Sequence, residues 1–198
     1  MFSIKKSSIF WMRSNAVLVL LVVLLLINIP YWNRDDSGIS LFLFIFFAEC
    51  FLVLLSFVYG FNTKKIYISP RKKIFKKSNL IVGTTTFIAL SLFLSFVLRE
   101  HIPYPSALLY MSLTINFIMA IISLLFPNWV IKQYEFNIYE ESSGWINDFL
   151  RYFLFIAWTI NYEVQVVLAR LPFLLQRLMG IIFIIVLVFS IASIASMY

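Results

Sequence analysis

The chain has 198 residues, of which 62% are hydrophobic, 19% aromatic and 13% charged. A soluble domain carries about 25% charged residues, so this chain lacks the polar surface to face water, and lipid is its implied solvent. Sixteen Lys and Arg against nine Asp and Glu give a net charge of +7. Apolar runs of about 20 residues and their connectors use up the length. That excludes a separate soluble domain, and residues 1–198 read as one transmembrane domain.

The first predicted helix runs from Asn15 to about Tyr31, behind Lys5, Lys6 and Arg13. It is not read as a secretory signal, because the apolar run is long and Pro30, Tyr31, Trp32 and Asn33 follow it in place of a small-residue cleavage site. The second helix is expected over Ile39 to Gly60. The third starts after Ser78 or Asn79, either of which can cap it, and reaches Leu98. The fourth begins at Pro105, a residue suited to a first helical turn, and ends at Phe126. Asn128 to Gly144 is a mixed segment. The fifth helix is expected from Asn147 or Asp148 to Arg170, and the sixth from Gly180 to Tyr198. This is an all-α polytopic bundle of about six transmembrane helices, or five if the fifth does not cross. Ala169 to Met179 reads as an interfacial turn or as a bent continuation of the fifth helix.

Charge orients the bundle, since Lys and Arg near helix ends stay on the cytoplasmic or matrix side. Lys64, Lys65, Arg71, Lys72, Lys73, Lys76 and Lys77 lie in the connection between the second and third helices, with no acid among them. Placed inside with Lys5, Lys6 and Arg13, they imply a bacterial cytoplasmic membrane or an organellar inner membrane. With six spans both termini fall on that side. Arg170 and Arg177 then lie outside, against the charge rule.

Few residues carry chemistry. Glu49 stands near the centre of the second helix among Phe46, Phe47, Phe51 and Leu52. A carboxyl at that depth is costly and faces protein or water, so Glu49 reads as an ion or proton site, a partner contact, or one end of an interhelical hydrogen bond. On the fifth helix Asp148, Tyr152, Thr159, Glu163, Arg170 and Arg177 recur at steps of four and seven and share a face, widened by Asn161 and Gln165. Asp148, Arg151, Arg170 and Arg177 are expected to reach the headgroup layers. Glu49, Asn116, Thr159 and Glu163 are the candidates for an intramembrane polar site. Asn116, Thr114 and Thr84 to Thr86 read as interhelical or back-bonded groups. Ser190, Ser193 and Ser196, with Ala192 and Ala195, give the last helix a small-residue end that allows close approach.

The polybasic connection, with Ile66, Tyr67, Ile68, Ile74 and Phe75 interleaved, is a candidate contact for anionic headgroups or a partner. Glu135, Glu140 and Glu141 lie on the same expected side and are candidates to meet it. Nucleic acid is not expected. One His and one Cys cannot make a zinc site without acids placed nearby. No nucleophile elbow, P-loop or Gly-rich fingerprint occurs, so neither an enzyme nor a cofactor is expected. Cys50 reads as an apolar filler.

Three functions remain open at this level. The first is a non-catalytic scaffold or accessory subunit of a membrane complex of the respiratory, transport or secretion kind, with other membrane subunits as partners. The second is a small homo-oligomeric transporter or channel using Glu49 and the polar stripe, which the absent repeat and scarce Gly disfavour. The third is a membrane immunity or sensor protein.

Overall fold

The computed structural model describes residues 2–33, 37–61, 77–98, 101–140 and 144–198, with backbone only at 77, 78 and 140. Its elements are α1 (Ile4–Leu26), a 3₁₀ turn (Ile29–Tyr31), α2 (Ser37–Gly60), α3 (Lys77–Val97), α4 (Ser106–Leu125), α5 (Pro127–Glu135), a π-helical turn (Phe136–Glu140), α6 (Trp145–Leu168) and α7 (Phe173–Met197). Lys64, Lys65, Arg71, Lys72, Lys73 and Lys76 lie outside the described residues, as do Glu141 and the side chains of Lys77 and Glu140; so does any contact between the basic connection and those acids.

The chain is an all-α membrane bundle, and five helices are long and apolar enough to cross a bilayer: α1, α2, α3, α4 and α7. The remaining long helix, α6, has 24 residues but is too polar. Two helices start earlier than their apolar runs do. α1 begins at Ile4, not Asn15, because nothing between Ile4 and Asn15 breaks a helix; Lys5, Lys6 and Arg13 change polarity without changing backbone preference. α7 begins at Phe173, directly after Pro172, and carries Gly180 in its interior. The reversal between α6 and α7 is therefore confined to Ala169–Pro172.

Antiparallel packing of α1 and α2 defines the first end of the bundle. There Phe2 bridges Phe61, and Ser3 N–H donates to Gly60 O over 2.9 Å. At the far end Asn33 N–H donates to Met197 O over 2.7 Å. Tyr198 Oη there donates to Ser106 Oγ (2.6 Å) and accepts from Trp32 Nε1 (3.1 Å), while Asn28 Nδ2 donates to Ser106 Oγ (2.9 Å) and Pro103 O (3.1 Å). The N-terminal and C-terminal residues described thus sit at opposite ends of the bundle, not at the same end as six simple crossings required.

The cause is α5 and the π turn. They fold back along α6, where Val130, Ile131, Tyr134 and Ile138 bury against Trp158, Tyr162 and Val166. The rings of Tyr134 and Tyr162 stack at 4.1 Å. α5 starts where α4 stops, and α6 ends with Arg170 4.4 Å above the Tyr59 ring, so this hairpin leaves and returns at the first end. It adds an even number of traverses. Arg170 and Arg177 consequently lie at the first end with Lys5 and Lys6, which removes their conflict with the charge rule.

The main core joins α1, α2, α4, α6 and α7 through Leu25, Phe44, Leu55, Leu113, Leu168, Leu187 and Ile194. Phe51 stacks on Phe183 at 5.2 Å and Phe47 on Phe189 at 4.3 Å. α3 stands at the edge, against α6 and the far end of α4.

Candidate functional site

The intramembrane polar groups fall into separate sets. The largest lies in the α4–α6 seam. Asn116 is completely buried, and its amide reaches across to α6. Nδ2 donates to Ala157 O (2.7 Å) and to Ser112 O of its own helix (2.7 Å), while Oδ1 accepts from Asn161 N–H (2.6 Å). Ala157 O and Asn161 N–H are the two groups of one i, i+4 rung of α6, so a side chain of α4 is inserted at a rung of its neighbour's ladder. Ser112 Oγ donates to Ile156 O at 2.9 Å. Asn161 Nδ2 donates to Ser123 Oγ at 3.1 Å, and Gln165 Nε2 donates to Asn161 Oδ1 at 3.4 Å. Every amide here has a partner, as low dielectric requires.

The α6 stripe divides when packed. Thr159 shares a 2.8 Å hydrogen bond with Tyr134 Oη of α5 and also donates to Phe155 O. Next to it Tyr162 Oη donates to Glu135 Oε1 at 2.9 Å. Glu163 is half-buried and, two residues from Asn161, points to another side of the helix. Asn116 and Thr159, expected to belong together, bond to different partners. Asn161 and Gln165, first read only as widening the stripe, are the residues that meet Asn116.

Asp148 and Arg151 differ from expectation. They form an ion pair of 2.9 Å with side-chain accessibilities of only 9% and 8%, where headgroup contact was anticipated. The first turns of α6 are covered because α3 approaches closely at Gly83, where a Cβ would stand 2.7 Å from the Tyr152 ring. Arg170 lies over Tyr59, which stacks on Phe10 at 4.6 Å, a cation–π arrangement. Arg177 donates to Ser123 O (3.4 Å) and Leu125 O (3.3 Å), covering the last carbonyls of α4 as a basic C-cap.

Glu49 forms a distinct site between α1 and α2. Its Oε1 accepts from Trp11 Nε1 at 2.7 Å and from Asn15 Nδ2 at 3.4 Å. Its Oε2 is buried and has no hydrogen-bond partner among the described residues. Trp11 was not singled out from sequence; only its height on an unexpectedly long α1 reveals it. Nearby, an apolar cavity of about 120 Å³ lies between α1, α2, α4, α6 and α7, walled by Phe44, Leu113, Phe183 and Leu187, with Ser14 and Ser190 at its margin.

The hydroxyl groups expected to bond within or between helices do both. Thr84, Thr85, Thr86 and Thr114 each donate to the carbonyl four residues back at 2.8–2.9 Å. Ser196 shares 2.7 Å with Ser40 of α2, so the small-residue end of α7 does meet another helix closely. Among the described residues no three His, Cys, Asp or Glu side chains gather to hold a metal ion. Comparison with protein-family models, curated proteins and solved structures finds no match.

Proposed function

We propose that the chain is a non-catalytic integral membrane subunit, a scaffold or accessory member of a larger membrane complex. The observation that carries this reading is the network around Asn116: its amide, and those of Asn161 and Gln165, bind helix to helix and are taken up in that packing instead of lining a pathway. Arg170 and Arg177 are likewise held against Tyr59 and the end of α4. Such a bundle is a fixed body that offers its outer surface to lipid and neighbouring chains. Purification from native membranes in a mild detergent, with identification of co-purifying proteins, tests it. Stoichiometric membrane partners are expected; recovery as a stable, partner-free monomer or symmetric oligomer overturns it.

One observation favours a second reading. The unpartnered Oε2 of Glu49, half-way along α2, is what a small transporter or channel would use to bind a proton or cation. Glu49→Gln abolishes flux in reconstituted vesicles if this holds and leaves it unchanged if it does not.

The charge rule places the first end, with Lys5, Lys6, Lys132, Arg170 and Arg177, in the cytoplasm or matrix, with Tyr198 across the membrane. Membrane-impermeant thiol labelling of single cysteines at positions 3 and 198 in Cys50→Ser protein tests this: opposite sides are expected, and the same side overturns the layout.

A further inference from the structure

The early start of α1 has a chemical consequence. Trp11 and Asn15 both bond to Glu49, so Arg13, between them, stands at the height of Glu49. By helical rise Arg13 lies about 15 Å along α1 from Ser3, and Ser3 is level with Gly60 at the first end. Arg13 is exposed, and it has no acidic or hydrogen-bond partner among the described residues. It also points away from the bundle, five residues and so about 140° round the helix from buried Leu18. A bare guanidinium on the lipid-facing side at that depth is tolerated only when its head rises to the interface or an anion descends to meet it.

The same face of α1 supplies the route. Lys6 precedes Arg13 by seven residues, which brings the two within about 20° of one another and about 10 Å apart along the axis. Lys5 flanks them, and all three side chains are exposed. Between them lie Ile9 and Met12, 42% and 63% accessible, which suit an acyl chain.

We propose that Lys5, Lys6 and Arg13 form a binding site for an anionic phospholipid, its phosphate held between Lys6 and Arg13 and its chain lying along Ile9 and Met12. This site is on α1, separate from the basic connection between α2 and α3.

Protein in a non-ionic detergent is supplied with phosphatidylglycerol or phosphatidylcholine, and retained lipid is counted by native mass spectrometry with thermal melting in parallel. Phosphatidylglycerol is retained preferentially and raises the melting temperature. Arg13→Gln and Lys6→Gln each cut its retention about fivefold, equivalent to about 1 kcal/mol per cation. Lys132→Gln leaves retention within about twofold. Arg13→Lys keeps most of the retention, and it decides the matter should Arg13→Gln also melt earlier without lipid. Equal retention of both lipids overturns the anionic selectivity, and full retention by Arg13→Gln overturns the site. A photoreactive residue at position 13 that cross-links to a protein chain instead of lipid shows an acidic partner helix as the occupant and overturns the proposal.

Discussion

α1 and α6 are nearly equal in length and opposite in character. α1 is apolar beyond Asn15 yet buries only Leu18 and Leu25; α6 carries Asp148, Arg151, Asn161 and Gln165 and buries all four among eleven residues. In water the assignment would be reversed. Lipid gives no advantage to hiding Leu, but an unbonded amide in hydrocarbon costs several kcal/mol, so the polar helix takes the interior. The two seams also differ in completeness: the amides of Asn116, Asn161 and Gln165 in the α4–α6 seam all have partners, while in the α1–α2 seam one oxygen of Glu49 has none among the described residues.

Perturbations of each seam should sharpen this contrast. Asn116→Leu removes the amide that bridges Ala157 and Asn161 and should cost about 2–4 kcal/mol, read as loss of melting temperature in detergent. Gly83→Val, driven into Tyr152 between α3 and α6, is expected to cost about 1–3 kcal/mol by overpacking. In the α1–α2 seam, Trp11→Phe removes one donor to Glu49 that already shares its oxygen with Asn15, so about 1 kcal/mol is expected. Gly180→Ala should be mildest, below about 1 kcal/mol, because its new methyl meets only the tip of Leu124 at 2.8 Å, a side chain free to turn. If Trp11→Phe proves more damaging than Asn116→Leu, the inside-out assignment of the two seams fails.

Much of this was legible from residue order. Long apolar runs and Pro or polar stops located α2, α3 and α4 to within two residues, since hydropathy and backbone chemistry agree there. They disagree at Ile4–Ser14 and Phe173–Met179, where polar or mixed residues continue a helix, and both stretches were cut short. Six simple crossings do not give the arrangement in which the described terminal residues lie at opposite ends of the bundle, because Asn128–Gly144 has no clear period to announce the segment that folds back on α6. Glu49, Asn116 and Thr159 stood out as polar groups in apolar runs. Their partners did not: a stripe on a wheel says that a face is special, and only packing says that Asn161 meets Asn116 while Thr159 turns to Tyr134. Asp148 and Arg151 were misjudged for the same reason, because nothing local announces that α3 will cover them.

The inserted amide of Asn116 bears on biogenesis. α6 is too polar to enter hydrocarbon readily by itself, since it carries Asp148, Arg151, Asn161, Glu163 and Gln165 within 24 residues. α4 precedes α6 in the chain and already displays the group that α6 needs. The helix made first thus supplies, at Asn116, polar partners for Ala157 O and Asn161 N–H of the helix made later.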